Sequence, residues 1–120
     1  MAKSILILED SNAVAELLVE DLQKRGWVVT SCSDREQAMG QLAGDVAYAV
    51  ILLGYSVPGG NGVQMVRFIR EIDHRRMTAI VMVTDSSDVV EKALTAGADE
   101  VLLEPIDAAT LVSVVDKHFA

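Results

Sequence analysis

Short, uninterrupted apolar runs alternate with longer amphipathic segments along the chain, and this alternation constrains the fold most strongly. Continuous runs span residues 5–8, 47–53, 79–83 and 101–103, and a more mixed run spans 27–32. A parallel strand that is buried on both faces reads as a continuous apolar run. The four continuous runs therefore indicate interior strands of a parallel sheet, and the mixed run favours a position near a sheet edge.

A segment with helical periodicity follows each run. Gly26 and Gly97 are predicted to end the first and fourth helices. Ser33 and Glu36 have the spacing of a capping box for the second helix, and Asp107 is predicted to cap the fifth. The residues expected to face the core are Val14, Leu17, Leu18 and Leu22; Ala38, Met39 and Leu42; Val66, Ile69 and Ile72; Val89, Val90, Ala93 and Leu94; and Leu111, Val114 and Val115.

Five repeats of strand and helix predict an α/β fold, with one domain over residues 1–120. Strands that alternate with helices form an open parallel sheet with right-handed crossovers and helices on both faces. For this size, we expect the flavodoxin-like doubly wound arrangement with strand order 2-1-3-4-5.

The composition excludes several classes of function. The chain has 18 Asp and Glu against 10 Lys and Arg, a net charge of −8, which argues against direct binding of nucleic acid or of an anionic membrane. A single cysteine, Cys32, excludes an internal disulfide. No apolar run approaches the ~20 residues of a membrane helix, and the N-terminus shows no signal-peptide pattern. We therefore expect a cytoplasmic protein.

Polar side chains follow several of the predicted strands directly. Glu9 and Asp10 follow the first strand, Thr84 and Asp85 the fourth, and Glu104 the fifth. Ligands of doubly wound sheets bind beyond the carboxyl ends of the strands, where the strand order reverses. We expect these side chains to share one rim of the sheet.

These residues also carry a family resemblance. The pair Glu9-Asp10, the loop Val57–Gly62, Thr84 and the step Glu104-Pro105 stand in the order and spacing of a known signalling domain. The chain resembles the receiver domain of two-component response regulators. The resemblance implies a phosphorelay signalling domain, not an enzyme, whose protein partner is a histidine kinase, an output domain or another regulator.

The chain departs from that family at four positions. The resemblance implies an aspartate that accepts phosphate four residues before the loop proline, where this chain has Gly54. It implies a lysine at Glu104, a small residue at Asp85 and an aromatic residue at Val101. Only Glu9, Asp10 and Thr84 keep the chemistry of the family.

These departures predict a receiver that is not phosphorylated. Phosphoryl transfer of this kind needs a carboxylate nucleophile, a divalent cation and positive charge near the developing phosphoryl oxygens. Gly54 removes the nucleophile, and Glu104 replaces a cation with an anion. Like charges ~4 Å apart repel by about 4 kcal/mol at an effective dielectric constant of ~20. We therefore expect a degenerate receiver, a pseudo-receiver, that acts by protein–protein interaction.

Two alternatives come from other classes of protein. In the first, Glu9, Asp10, Asp85 and Glu104 form a regulatory site for Mg²⁺ or Ca²⁺, which prefer oxygen ligands; the pair Glu9 and Asp10 is its core. We favour instead the interpretation that Asp85 and Glu104 point outward as solvated carboxylates at strand ends, since the ligand from the third strand is missing. The second alternative, an enzyme of flavodoxin-like fold, lacks a nucleophile–base pair and a phosphate-binding loop.

Overall fold

The structure is a computed structural model that describes residues 3–9, 12–57 and 59–119, without the side chains of residues 12–15. Its elements are β1 (Ser4–Leu8), α1 (Asn12–Lys24), β2 (Val28–Cys32), α2 (Arg35–Ala43), β3 (Val50–Gly54), β4 (Ser56–Val57), β5 (Gly60–Asn61), α3 (Gly62–Glu71), a 3₁₀ turn (Asp73–Arg75), β6 (Ala79–Thr84), α4 (Ser87–Ala96), β7 (Glu100–Leu103) and α5 (Ala108–Lys117).

Five parallel strands form the main sheet in the order β2-β1-β3-β6-β7. The short strands β4 and β5 pair with each other in a separate hairpin. Counted without that hairpin, the order is the predicted 2-1-3-4-5, so the flavodoxin-like fold is confirmed. The order reverses between β1 and β3, which places the carboxyl ends of β1, β3 and β6 side by side.

The sheet separates two hydrophobic cores, because successive side chains of each strand point to opposite faces. Leu6 and Leu8 of β1 belong to the core under α2, α3 and α4. Ile5 and Ile7 belong to the core under α1 and α5. Burial on both faces explains why the central strands read as continuous apolar runs.

Two local predictions are corrected by the structure. The third strand begins at Val50 rather than at residue 47. The second helix is capped by Asp34, whose carboxylate accepts the Gln37 N–H at 2.8 Å, and not by the predicted pair Ser33 and Glu36. Ser33 instead donates its backbone N–H to the Gln37 side chain at 2.9 Å. The capping interactions therefore lie one residue later than the spacing predicted.

Leu17 and Leu94 were both predicted to face the core, and both predictions are wrong. Leu17 is 61% exposed and Leu94 is 47% exposed. Leu18 and Leu22 are the buried leucines of α1. Because successive helical residues are about 100° apart, a helix that buries Leu18 and Leu22 turns Leu17 toward the solvent.

The loop after β3 contains a small hairpin. Val57 pairs with Gly60, and Gly59 between them has a φ of +93°, a value that glycine adopts without strain. The hairpin returns the chain to Gly62, whose N–H donates to the Tyr55 carbonyl at 2.7 Å. The start of α3 is thereby fixed against the end of β3.

In the described part of the chain, the helices are all too short or too polar to cross a bilayer.

Candidate functional site

A shallow cavity of about 200 Å³ lies at the carboxyl ends of the central strands. The Tyr55 N–H donates to the Val83 carbonyl at 3.1 Å, and the Glu104 N–H donates to the Thr84 carbonyl at 2.8 Å. These bonds hold the ends of β3, β6 and β7 at one level. The residues that line the cavity are Glu9, Gly54, Tyr55, Ser56, Val83, Thr84, Asp85 and Glu104.

Gly54, the last residue of β3, lies directly beneath the carboxylate of Glu9. A Cβ atom at position 54 would lie 2.8 Å from Oε2 and 2.9 Å from Oε1 of Glu9. Those distances are shorter than a van der Waals contact between carbon and oxygen. The Glu9 carboxylate therefore occupies the space that a side chain at position 54 would enter.

Gly62 packs against the same strand end from the side of α3. A Cβ atom at Gly62 would lie 2.6 Å from the Gly54 carbonyl oxygen and 2.8 Å from Cε of Met82. Helix α3 thus approaches the end of β3 as closely as a residue without a side chain allows.

Thr84 is buried at the end of β6, whereas its neighbour Asp85 is exposed. The Thr84 hydroxyl oxygen accepts the backbone N–H of Ser86 at 3.2 Å. Glu104 is also exposed, and its peptide bond to Pro105 is cis. Glu9 is half-buried. The cavity wall therefore contains the buried hydroxyl of Thr84, the half-buried carboxylate of Glu9 and the exposed carboxylates of Asp85 and Glu104.

The cavity brings together five of the residues that the sequence singled out, namely Glu9, Gly54, Thr84, Asp85 and Glu104. The sixth, Asp10, lies outside the described residues. Tyr55, Ser56 and Val83 complete the wall. The sequence could have indicated them as lining residues, because they lie directly at the ends of predicted strands. The sequence did not indicate that the Glu9 side chain covers Gly54, because the two residues are distant in sequence and meet only in the folded chain.

Positive charge is missing from the part of the cavity wall that the structure describes. Glu9, Asp85 and Glu104 contribute carboxylates there, and the lining residues include no lysine, arginine or histidine. Within the described residues, no three His, Cys, Asp or Glu side chains are grouped so that they could hold a metal ion. Because Asp10 is not described, the pair Glu9 and Asp10 as metal ligands stays a prediction.

The whole sequence, compared with protein families, matches the response regulator receiver domain over residues 5–116. The chain belongs to this family. A receiver domain is a signalling domain of two-component systems, and the predicted family and its function class are confirmed at that level.

Two relatives of this receiver domain illustrate its context. The phosphate regulon transcriptional regulatory protein PhoB of Escherichia coli K12 is 28% identical over 115 residues, which cover 94% of this chain and 50% of PhoB. The response regulator protein FleR of Pseudomonas aeruginosa is 26% identical over 118 residues, which cover 98% of this chain and 25% of FleR. The receiver domain thus spans half or less of the length of these relatives.

Solved structures show the same fold. The chemotaxis response regulator CheY4 of Vibrio cholerae superposes with a TM-score of 0.89 at 22% identity, covering 98% of this receiver domain and 99% of CheY4. A response regulator from Chloroflexus aurantiacus J-10-fl superposes with a TM-score of 0.90 at 23% identity, covering 99% and 98% of the two chains.

Proposed function

We propose that this receiver domain is not phosphorylated at position 54 and that it signals by protein–protein interaction. One observation carries the proposal: β3 ends in Gly54, and the Glu9 carboxylate lies where a side chain would extend from it. The position therefore lacks a nucleophile, and the space for one is taken by a group that already bears negative charge.

The surroundings of Gly54 support the proposal. An incoming phosphoryl group carries negative charge on its oxygens, which a site must neutralise with cations. Glu9, Asp85 and Glu104 add negative charge instead, and Glu104 stands where the family resemblance implies a lysine. Since Asp85 and Glu104 are exposed, water screens part of this repulsion, but it does not reverse its sign.

We propose the surface of α4, β7 and α5 as the place of interaction. Leu94 on α4 and Leu103 on β7 are large apolar side chains that are both about half exposed. Helix α4 packs beside β7, so the two side chains belong to one side of the molecule. The partner is a component of the same signalling pathway: a histidine kinase, an output domain or another regulator.

Beryllofluoride, which mimics a phosphoryl group on aspartate, tests the proposal by NMR. The ¹H–¹⁵N spectrum with Mg²⁺ and beryllofluoride should equal the spectrum with Mg²⁺ alone. The Mg²⁺-only spectrum, compared with a metal-free one, reports separately whether Glu9 and its neighbours bind the cation. Beryllofluoride-dependent shifts of Thr84, Asp85 and Tyr55 would refute the proposal.

A further inference from the structure

Strand β2 (Val28–Cys32) offers an open backbone edge. It is the terminal strand of the main sheet and pairs with β1. The Val28 N–H donates to the Lys3 carbonyl at 2.8 Å, so every second residue from Val28 onward bonds to β1. The backbone N–H and C=O groups of Val29 and Ser31 therefore point away from the sheet, where another strand would pair with them.

A groove of about 390 Å³ runs beside the carboxyl half of this edge. Helix α1 forms one bank, α2 forms the other, and the end of β2 forms the floor between them. Ser31 on the floor is exposed, and Val28, at the other end of the strand, is 65% exposed. The groove is lined mainly by Glu16, Glu20 and Gln23 of α1, Ser31 and Ser33, and Gln37 of α2.

The α1 bank of the groove is acidic. Glu16 and Glu20 lie one helical turn apart and are both exposed. Lys24 pairs with Glu20 at 3.4 Å, but both side chains are about two-thirds exposed, and such pairs contribute little. On α2, the Arg35 guanidinium stacks over the Phe68 ring at 4.5 Å. The groove thus presents negative charge along one side of an unpaired strand.

We propose that this groove binds an extended, basic segment of a protein partner, which pairs as an added strand with the free edge of β2. Backbone hydrogen bonds to Val29 and Ser31 would supply the affinity, as in other strand-addition complexes. Lysine or arginine side chains on one face of the segment would reach Glu16 and Glu20. The inference rests on the proposed function in one respect, namely that the domain works by binding a protein.

Charge complementarity distinguishes this occupant from a second copy of the chain. Strand β2 has the sequence VVTSC and supplies no cation of its own. Edge-to-edge pairing of two β2 strands would bring two acidic α1 banks together in a chain whose net charge is −8. Like charges at such an edge oppose pairing. A basic segment from another protein meets no such repulsion.

The probe for this inference is a blocked synthetic peptide of eight residues that alternates lysine with threonine, titrated into the ¹⁵N-labelled chain. The largest amide shifts should fall on residues 28–33, and the N–H groups of Val29 and Ser31 should gain protection from hydrogen exchange. Affinity should fall as salt is raised. The matched peptide with glutamate in place of lysine should not bind.

Two controls separate strand pairing from mere attraction between charges. A lysine–threonine peptide with N-methyl groups on the backbone nitrogens that face β2 keeps its charge but cannot donate to the strand, so binding should be lost. The double variant Glu16→Gln/Glu20→Gln should bind about fivefold more weakly. The variant Glu71→Gln/Asp73→Asn, which removes exposed carboxylates from the end of α3 and from the turn after it, should bind as the parent does.

Several results would overturn the inference: shifts that map away from β2, equal binding of the N-methylated peptide, or equal binding by the Glu16→Gln/Glu20→Gln variant. Association of the peptide-free chain through β2, seen by sedimentation together with protection of Val29, would identify a second copy as the occupant and would likewise overturn it. Phosphorylation of the chain would refute the proposed function. The peptide titration would still decide separately whether the edge of β2 binds a basic segment.

Discussion

At position 54 the lack of a Cβ atom allows the Glu9 carboxylate to lie across the end of β3. Glu9 directly follows β1, Gly54 ends the neighbouring strand β3, and a Cβ atom at position 54 would crowd the Glu9 carboxylate. A substitution that restores an aspartate must therefore displace a carboxylate as well as add one. Whether the restored aspartate accepts a phosphoryl group then depends on the net charge of the side chains around position 54.

Gly54→Asp alone should leave the chain inert to acetyl phosphate, or labelled only in traces. The new carboxylate would meet that of Glu9, and like charges ~4 Å apart repel by about 4 kcal/mol at a dielectric constant of ~20. Relative to Gly54→Asp, the triple variant Gly54→Asp/Asp85→Ala/Glu104→Lys removes two carboxylates and adds a cation, and it should be labelled in a Mg²⁺-dependent manner. Phosphoprotein gels with both variants make the comparison. Equal rates of labelling would show that Asp85 and Glu104 do not act on position 54.

Gly62 and Gly40 form a matched pair for substitution by alanine. At Gly62 a Cβ atom meets the Gly54 carbonyl oxygen at 2.6 Å, so Gly62→Ala should destabilise the fold by roughly 1–3 kcal/mol. At Gly40, an exposed position inside α2, no atom lies within 4 Å of the added Cβ, and Gly40→Ala should stabilise by about 0.5–1 kcal/mol. Urea unfolding measures both. A Gly62→Ala variant with the same free energy of unfolding as the parent chain would contradict the close approach of α3 to β3.

Among the elements, α2 depends on an arginine that is distant in sequence. Arg75, in the 3₁₀ turn after α3, is 2% exposed. Its guanidinium donates to the carbonyl oxygens of Leu42, Gly44 and Val46 at 3.1, 3.0 and 2.6 Å. It also lies over the Tyr48 ring at 5.1 Å. Arg75 thus satisfies the open carbonyls at the end of α2 and joins that helix to the turn before β6.

Arg75→Met should destabilise the fold by roughly 2–4 kcal/mol, because it removes the donor from the buried Leu42 carbonyl oxygen and also breaks the part-buried bonds to Gly44 and Val46. The neighbouring variant Arg76→Ala is the control: Arg76 is exposed and pairs with Asp73 on the surface, so its loss should cost about 0–1 kcal/mol. Urea unfolding of the two variants provides the test. Equal effects would contradict the role of Arg75 as the cap of α2.

At the scale of the whole molecule, two carboxylates fasten α5 to the amino ends of the strands. Asp116 accepts a hydrogen bond from Trp27 Nε1 at 2.7 Å and lies 3.1 Å from Arg25 Nη1. Burial alone would raise the pKa of Asp116, but the Trp27 bond and the charges of Lys3 and Arg25 outweigh it and hold this pKa below the ordinary value. A hydrogen bond from Lys117 lowers the pKa of Glu100, with a smaller contribution from His118.

These shifts predict the direction of the acid dependence of stability. Because the folded pKa of Asp116 lies below the unfolded value, the unfolded chain binds more protons in this range, and stability falls as pH drops below about 4. Asp116→Asn should lower stability at pH 7 and flatten this acid limb. Asp73→Asn, at an exposed carboxylate, is the control and should change neither. Urea midpoints between pH 2.5 and 7 measure the effect; an unchanged limb in Asp116→Asn would contradict it.

The sequence was sufficient for the strands and helices because continuous apolar runs and helical periodicity are local signals. The strand order followed from the doubly wound fold that this alternation and chain length favour. The family resemblance was sufficient to find Gly54, since it implies a phosphate-accepting residue four positions before the loop proline. It missed the burial of Arg75, the exposure of Leu17 and the position of Glu9 over Gly54. Each of these depends on which side chains meet through space, and periodicity within one element does not report that.

The central claim is that the receiver domain does not accept a phosphoryl group, and intact-mass spectrometry tests it most directly. The chain is incubated with acetyl phosphate and Mg²⁺ beside the Gly54→Asp/Asp85→Ala/Glu104→Lys variant, which serves as the positive control. The account predicts an unchanged mass for the natural chain and the added mass of one phosphoryl group for the variant. Stoichiometric phosphorylation of the natural chain at any residue would contradict it.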